Sequence, residues 1–155
     1  MFKKDFTMKI LFVCTGNTCR SPMAAAMMNK ICTENDMDVY ASSAGIFAES
    51  GSKASKNAIE TMKEYGIDLS SHKSTPLTEA LLSEYDIILT MTEGHKTMIS
   101  ALAPDKINTI CEYAGYEGDI SDPFGGNLTQ YKECAQDIYD CLTDIAEKIY
   151  DLTGN

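Results

Sequence analysis

Apolar and polar positions alternate along this chain in two rhythms. Residues 9–13 form a short, nearly continuous apolar run (Ile10, Leu11, Phe12, Val13), the pattern of a strand buried on both faces. Ser21-Pro22 then opens a helix, with Ser21 as N-cap and Pro22 at the first helical position. Met23, Met27 and Ile31 follow at i, i+4 and i+8, a stripe that fits core packing better than a ligand site. Residues 39–43 predict a second strand closed by Ala44-Gly45. Residues 53–65 predict a helix with Ala54, Ala58 and Met62 in line and Gly66 as its stop. A helix over 78–85, a buried strand over 86–91, a helix over 92–103 ended by Pro104, and a fourth strand over 106–111 follow. Residues 128–152 carry Ile138, Leu142, Ile145, Ile149 and Leu152 at helical spacing.

Strands that alternate with helices imply an α/β fold, a parallel sheet covered by helices on both faces with right-handed crossovers. Ligands in such folds bind beyond the carboxyl ends of the strands. Cys14 follows the first strand, Ser43 ends the second, and Asp122 lies in the loop after the fourth. Three polar groups thus fall on one edge of the sheet. With 155 residues and no linker, repeat or low-complexity tract, the chain reads as a single domain.

The net charge of −10 makes nucleic acid and anionic membranes poor partners, and an acidic protein that handles phosphate must build positive potential locally. The lysines and short apolar run near the start faintly suggest a signal peptide. The run is too short, however, and Cys14-Thr15-Gly16-Asn17 follows in place of a small-residue cleavage site. Met8 reads as the native start, with residues 1–7 an extension or tag. No stretch is long and apolar enough to span a membrane. The chain is read as a cytoplasmic monomer whose six cysteines are thiols.

The segment Cys14-Thr15-Gly16-Asn17-Thr18-Cys19-Arg20-Ser21 lies between strand and helix signals, and Arg20 is the only arginine of the chain. Covalent cleavage of a phosphoryl bond needs a thiolate, donors for the phosphoryl oxygens and an acid for the leaving group. Helix N-termini and nearby cations favour thiolates, and concave rows of N–H groups bind anions. Gly16 and Asn17 tolerate the positive φ that a tight cradle requires. Arg20 offers a planar fork for two phosphoryl oxygens, and the Ser21 hydroxyl is placed to donate to Cys14. The Gly-Lys-Ser/Thr ending of a nucleotide-binding loop is absent. In Asp122-Pro123-Phe124-Gly125-Gly126, the proline biases Asp122 to extended backbone, so its carboxyl projects from the loop, and Phe124 is placed to wall the pocket. Taken alone, that segment also reads as an ordinary Asp-Pro turn. No ligand cluster suggests a metal, and no cofactor is implied.

Residues 14–22 near the start, together with residues 122–126 late in the chain, resemble the low-molecular-weight protein-tyrosine phosphatase family from Met8 to nearly the end. The resemblance implies a four-stranded parallel sheet in order 2-1-3-4 and a metal-independent phosphocysteine intermediate. It implies Cys14 as nucleophile, Arg20 for phosphate binding and Asp122 as general acid, then base, on a phosphorylated protein or peptide. Ser42-Ser43-Ala44-Gly45 and Ser70-Ser71-His72 are similar to family segments, and Asn17, Ser43 and His72 would form a hydrogen-bond network holding the loop. Tyrosine-specific members usually carry Ile where Thr18 stands and Leu where Thr15 stands. Thr18, with Ser43-Ala44-Gly45-Ile46-Phe47 and Pro76-Leu77-Thr78-Glu79, is similar to the bacterial protein-arginine phosphatases.

A phosphoarginine side chain is planar and polar, so Thr18 and Asp122 would pair with its N–H groups, which an isoleucine would leave unsatisfied. Phe47 and Phe124 would stack on its face. The alternatives are a phosphotyrosine-specific phosphatase, a thioredoxin-coupled arsenate reductase, and a phosphate-binding module without turnover. Cys19 is placed to trap an oxidised Cys14 as a disulfide, which the resemblance supports. Cys134 and Cys141 follow the Asp-Pro loop, unlike the reductase pair, and on a helix would lie about 10.5 Å apart along the axis. They read as packing residues, as do Cys32 and Cys111, and His95 reads as a surface residue of its helix.

Overall fold

The computed structural model describes residues 7–153. Met8–Cys14 (β1), Val39–Gly45 (β2), Ile87–Thr90 (β3) and Ile107–Thr109 (β4) form a parallel sheet in the order β2-β1-β3-β4. Between and after them run Arg20–Glu34 (α1), Lys56–Lys63 (α2), Glu79–Ser83 (α3), Glu93–Ile99 (α4), Ile110–Ala114 (α5) and Leu128–Leu152 (α6).

β1 is central and shows why its apolar run is continuous. Ile10 and Phe12 face the larger core built with Met23 and Met27 of α1 and Ile138, Leu142 and Ile145 of α6. Leu11 and Val13 face the smaller core with Leu82 of α3, Ile88 of β3 and Ile99 of α4. Period-2 alternation sends successive side chains into two different cores, so both must be apolar. Met23 and Met27 of the stripe and Cys32, Cys111, Cys134 and Cys141 are buried, and Ile31 is half-buried against the same core. Leu152, expected on the α6 stripe, is exposed because the helix outruns the core there.

Several element bounds differ from the sequence expectation for local reasons. α1 begins at Arg20, its N-cap is Cys19, and Ser21 does not cap it. The Ser21 hydroxyl is engaged with Cys14 and Asn17 instead. α2 begins at Lys56 and not at residue 53, because the Ser55 side chain accepts from Ala58 N while its backbone N–H donates to Thr18 O at 2.9 Å. β4 stops at Thr109 because Thr109 and Glu112 form a capping box that starts α5, a helix the apolar pattern concealed. α4 ends at Ile99 and gives way to turns before β4.

Candidate active site

The segment from Cys14 to Arg20 wraps the end of β1 and, with Asp122 and Phe124, lines a cavity of about 240 Å³. Larger surface grooves of about 430, 450 and 490 Å³ run along α6, away from this segment. The first N–H groups of α1 have no partner within the helix, so that end of the dipole faces the loop.

Asn17 sets the loop's shape. It is fully buried and adopts φ 58°, a left-handed conformation that asparagine tolerates. Gly16, expected to share that role, does not have positive φ. The Asn17 Oδ1 accepts from the Thr75 backbone N–H at 2.8 Å. A backbone N–H can only donate, which fixes the amide with Nδ2 turned to Ser21, where it donates to Oγ at 2.8 Å. Ser21 keeps its own hydrogen. Its nearer partner is Cys14 Sγ at 2.8 Å, against Ala44 O at 3.5 Å. The hydroxyl therefore donates to the sulfur.

His72 Nε2 lies 2.8 Å from the Asn17 carbonyl, which makes that nitrogen the donor. Ser43 is buried on β2 opposite Phe12 but is not a side-chain partner of Asn17 or His72 among the described residues. The network thus forms through Thr75 and Ser21. Thr75 is a partner that sequence reading had no means to name, since its backbone and not its side chain is used.

Arg20 is buried and donates from Nη1 to Ile120 O at 2.9 Å, while Nη2 lies 3.6 Å from Asp122 Oδ2. Asp122 Oδ1 accepts from Phe124 N at 3.0 Å, and half of the Asp122 side chain is open to solvent. The acid loop and the cysteine loop therefore meet at the guanidinium. Phe124 lines the cavity and is 75% exposed. Phe47 is 68% exposed and does not line it, although its N–H binds Thr15 O at 2.9 Å and holds the ring nearby.

Gly45 is required by contact. A Cβ there would stand 2.7 Å from Thr15 O and 2.9 Å from Asn17 N, inside the loop backbone.

Cys19 Sγ lies 3.3 Å from the Tyr131 hydroxyl, 3.5 Å from Ser55 Oγ and 3.7 Å from Thr18 Oγ1. Burial, and then the bond to Cys19, push Tyr131 up to about 12. Burial pushes Cys32 up to about 11 and Cys134 up to about 12. Burial and then Cys111 push Cys141 up to about 12. These three are packed thiols and not nucleophiles.

His95 corrects an expectation. It is buried at 7% exposure, not on the surface, because α4 turns it under the loop, where Nε2 lies 2.9 Å from Thr15 Oγ1. Burial, and then the Arg20 charge, lower its pKa, while Asp119 and Asp122 act more weakly the other way. Its place one turn inside a helix carried no sequence signal that it would face inward.

Residues 9–152 match the family model for low molecular weight phosphotyrosine protein phosphatase. A protein-arginine-phosphatase of Bacillus subtilis is 42% identical over 146 residues, covering 92% of this chain and 97% of the relative. The crystal structure of a low molecular weight protein tyrosine phosphatase from T. tengcongensis superimposes with TM-score 0.88 at 44% identity, covering 92% of this chain and 99% of that one. The YwlE arginine phosphatase, in a cysteine-to-serine mutant with a phosphorylated active-site serine, superimposes with TM-score 0.88 at 41% identity, covering 92% of this chain and 95% of that one. By the span of that match and the overlap in fold, this chain belongs to the low molecular weight phosphotyrosine protein phosphatase family.

Proposed function

We propose that this chain is a protein phosphatase that removes phosphate from arginine side chains through a phosphocysteine intermediate. The observation that carries the chemistry is the chain of fixed donors Thr75 N–H, Asn17 Nδ2 and Ser21 Oγ, which ends on Cys14 Sγ beside Arg20 and Asp122. In the first step the sulfur attacks phosphorus, the P–N bond breaks, and Asp122 gives its proton to the departing guanidino nitrogen. In the second, water attacks phosphorus, the P–S bond breaks, and Asp122 takes the proton. Arg20 and the loop N–H groups hold the phosphoryl oxygens in both steps. The phosphorylated serine in the YwlE mutant is a relative's counterpart of such an intermediate.

The preference for arginine rests on polar walls. Thr15 and Thr18 line the cavity where tyrosine-specific sites offer leucine and isoleucine. A buried guanidino group left against aliphatic side chains loses about 1–3 kcal/mol for each unpaired donor. Phe124 remains as a stacking surface, and Phe47 belongs to the rim. Replacing Thr18 with Ile should lower the ratio of kcat/KM for a phosphoarginine peptide over a phosphotyrosine peptide by about tenfold. An unchanged ratio would overturn the arginine assignment, and turnover that survives Cys14→Ser would overturn the mechanism.

Six free thiols and a net charge of −10 support a working place in the reducing cytoplasm, away from nucleic acid. Among the described residues no helix is long and apolar enough to cross a membrane. The arsenate reductase reading loses its support, since Cys134 and Cys141 are packed, Cys134 against Ser121 O and Cys141 against Cys111.

A further inference from the structure

We propose that His95 is a positioning residue for the leaving-group wall, holding the Thr15 hydroxyl so that it presents a free lone pair and its own hydrogen to an arginine-derived substrate. This rests on the phosphatase reading above and extends it to a residue outside the loop.

The argument begins with the two ring nitrogens. Nε2 lies 2.9 Å from Thr15 Oγ1, whereas Nδ1 is buried with no hydrogen-bond partner among the described residues. A neutral imidazole carries one N–H. Placing it on Nδ1 would bury an unpaired donor, the rarer and costlier arrangement. Placing it on Nε2 leaves only a lone pair unsatisfied and makes the Thr15 bond. His95 therefore donates to Thr15.

Thr15 Oγ1 then has one lone pair occupied, one free, and its hydrogen uncommitted. Thr15 lines the cavity beside Cys14, and its backbone carbonyl is held by Phe47 N at 2.9 Å. The free lone pair suits a guanidino N–H, the group that phosphoarginine has and phosphotyrosine lacks.

Charge favours the same arrangement. Burial and Arg20 both oppose protonation of His95. A neutral ring adds no positive charge behind the wall that a guanidinium leaving group must meet.

The backbone that carries the ring is anchored as well. The backbone N–H of His95 donates to the N-cap Thr92 Oγ1 at 3.1 Å, and Glu93 N donates to Asp119 Oδ1 at 2.9 Å, three residues before Asp122. α4 thus couples the wall residue Thr15 to the segment that carries the acid.

The test is a mutant cycle with two substrates, a phosphoarginine peptide and a phosphotyrosine peptide. His95→Leu should lower kcat/KM for phosphoarginine by about fivefold to tenfold, the worth of one hydrogen bond, and change phosphotyrosine turnover less than about twofold. His95→Gln, whose side-chain amide reaches the place of Nε2, should restore most of the loss. On a Thr15→Val background, His95→Leu should have no further effect. Equal losses on both substrates without rescue by Gln, or full additivity in the double variant, would overturn the proposal while leaving the phosphatase reading intact. Absence of turnover by the wild-type protein on both substrates would instead end both together. Nitrogen-15 NMR of the wild-type ring gives a check free of mutation. The proton should reside on Nε2, and a proton on Nδ1 would refute the assignment.

Discussion

Replacing Ser21 with alanine should separate the two chemical steps. Ser21 is fully buried, its Oγ donates to Cys14 Sγ at 2.8 Å, and it accepts from Asn17 Nδ2 at 2.8 Å. The hydrogen bond matters most when the sulfur is charged. That is the case before attack on the substrate and again when the sulfur leaves phosphorus. A hydrogen bond to a charged group is worth about 1.5–3 kcal/mol, or roughly 10- to 100-fold in rate. In the first step of the proposed mechanism Asp122 helps the leaving group, which offsets part of the loss. In the second the sulfur is itself the leaving group and has no other side-chain donor within hydrogen-bond reach among the described residues. The hydrolysis of phosphocysteine should therefore slow more than its formation. Rapid-quench or stopped-flow assays with p-nitrophenyl phosphate should show a burst approaching one equivalent of nitrophenol, followed by a kcat reduced about 10- to 100-fold. The Asn17 amide also loses its acceptor, which costs stability, so a thermal melt is the control for folding. A folded Ser21→Ala protein with unchanged kcat, or with a kcat loss and no burst, would refute the assignment of Ser21 as donor to the leaving thiolate.

Three further outcomes follow from the same geometry. Gly45→Ala would push a methyl to within 2.7 Å of Thr15 O and 2.9 Å of Asn17 N, both backbone atoms. It should lower kcat/KM by more than about tenfold through displacement of the loop, and crystallographic superposition with an unmoved loop would contradict this. Cys19→Ser should leave phosphatase activity within a fewfold but make inactivation by hydrogen peroxide irreversible by dithiothreitol. If thiol restores the variant as fully as the wild type, Cys19 does not guard Cys14. Glu112 has its pKa lowered by the Lys96 hydrogen bond and then by the Thr109 backbone N–H. A depressed carboxylate pKa stabilises the fold above the unfolded Glu value and that stability is lost as pH falls through the folded value. Glu112→Gln should thus lose up to about 0.5 kcal/mol at pH 7, given its solvent screening, and nothing at pH 2. Urea melts at both pH values would show equal losses if the reasoning is wrong.

The parallel sheet and the placement of Cys14, Ser43 and Asp122 at one edge were legible because alternation of strand and helix patterns constrains topology strongly, whereas the strand order 2-1-3-4 came from the family resemblance and not from the pattern. α5 was not, although Thr109-Ile110-Cys111-Glu112 carries a capping-box signature. Its five residues continue the apolar run of β4, and run length outweighed the cap. The Ser21–Pro22 pair was legible as a helix start but not as a site contact, since an N-cap and a thiol partner make the same demand for a hydroxyl. Asn17 was legible through its tolerance of positive φ. Its amide orientation was not, because that depends on Thr75, 58 residues away in the chain. His95 was the clearest failure. A histidine on a short helix is compatible with either face, and only the approach of Thr15 from a distant loop decides it.

The acidic character of the chain explains why the site is built this way. A protein of charge −10 repels phosphoproteins at range, and at physiological salt that repulsion fades beyond about 8 Å. Binding must then come from contact. In the proposed mechanism, loop N–H groups and one buried arginine supply it without adding a basic surface. Arg20 has to be held in place for this to work, and its two terminal nitrogens are held by Ile120 O and Asp122, both on the acid loop. In the mechanism proposed above, the residue assigned to bind phosphate thereby also fixes the distance to the residue assigned to move the proton. A lysine there would keep the charge but lose one of these two anchors, since its single nitrogen cannot span both while still facing the cavity. One arginine in a chain that otherwise uses lysine is what that double duty requires.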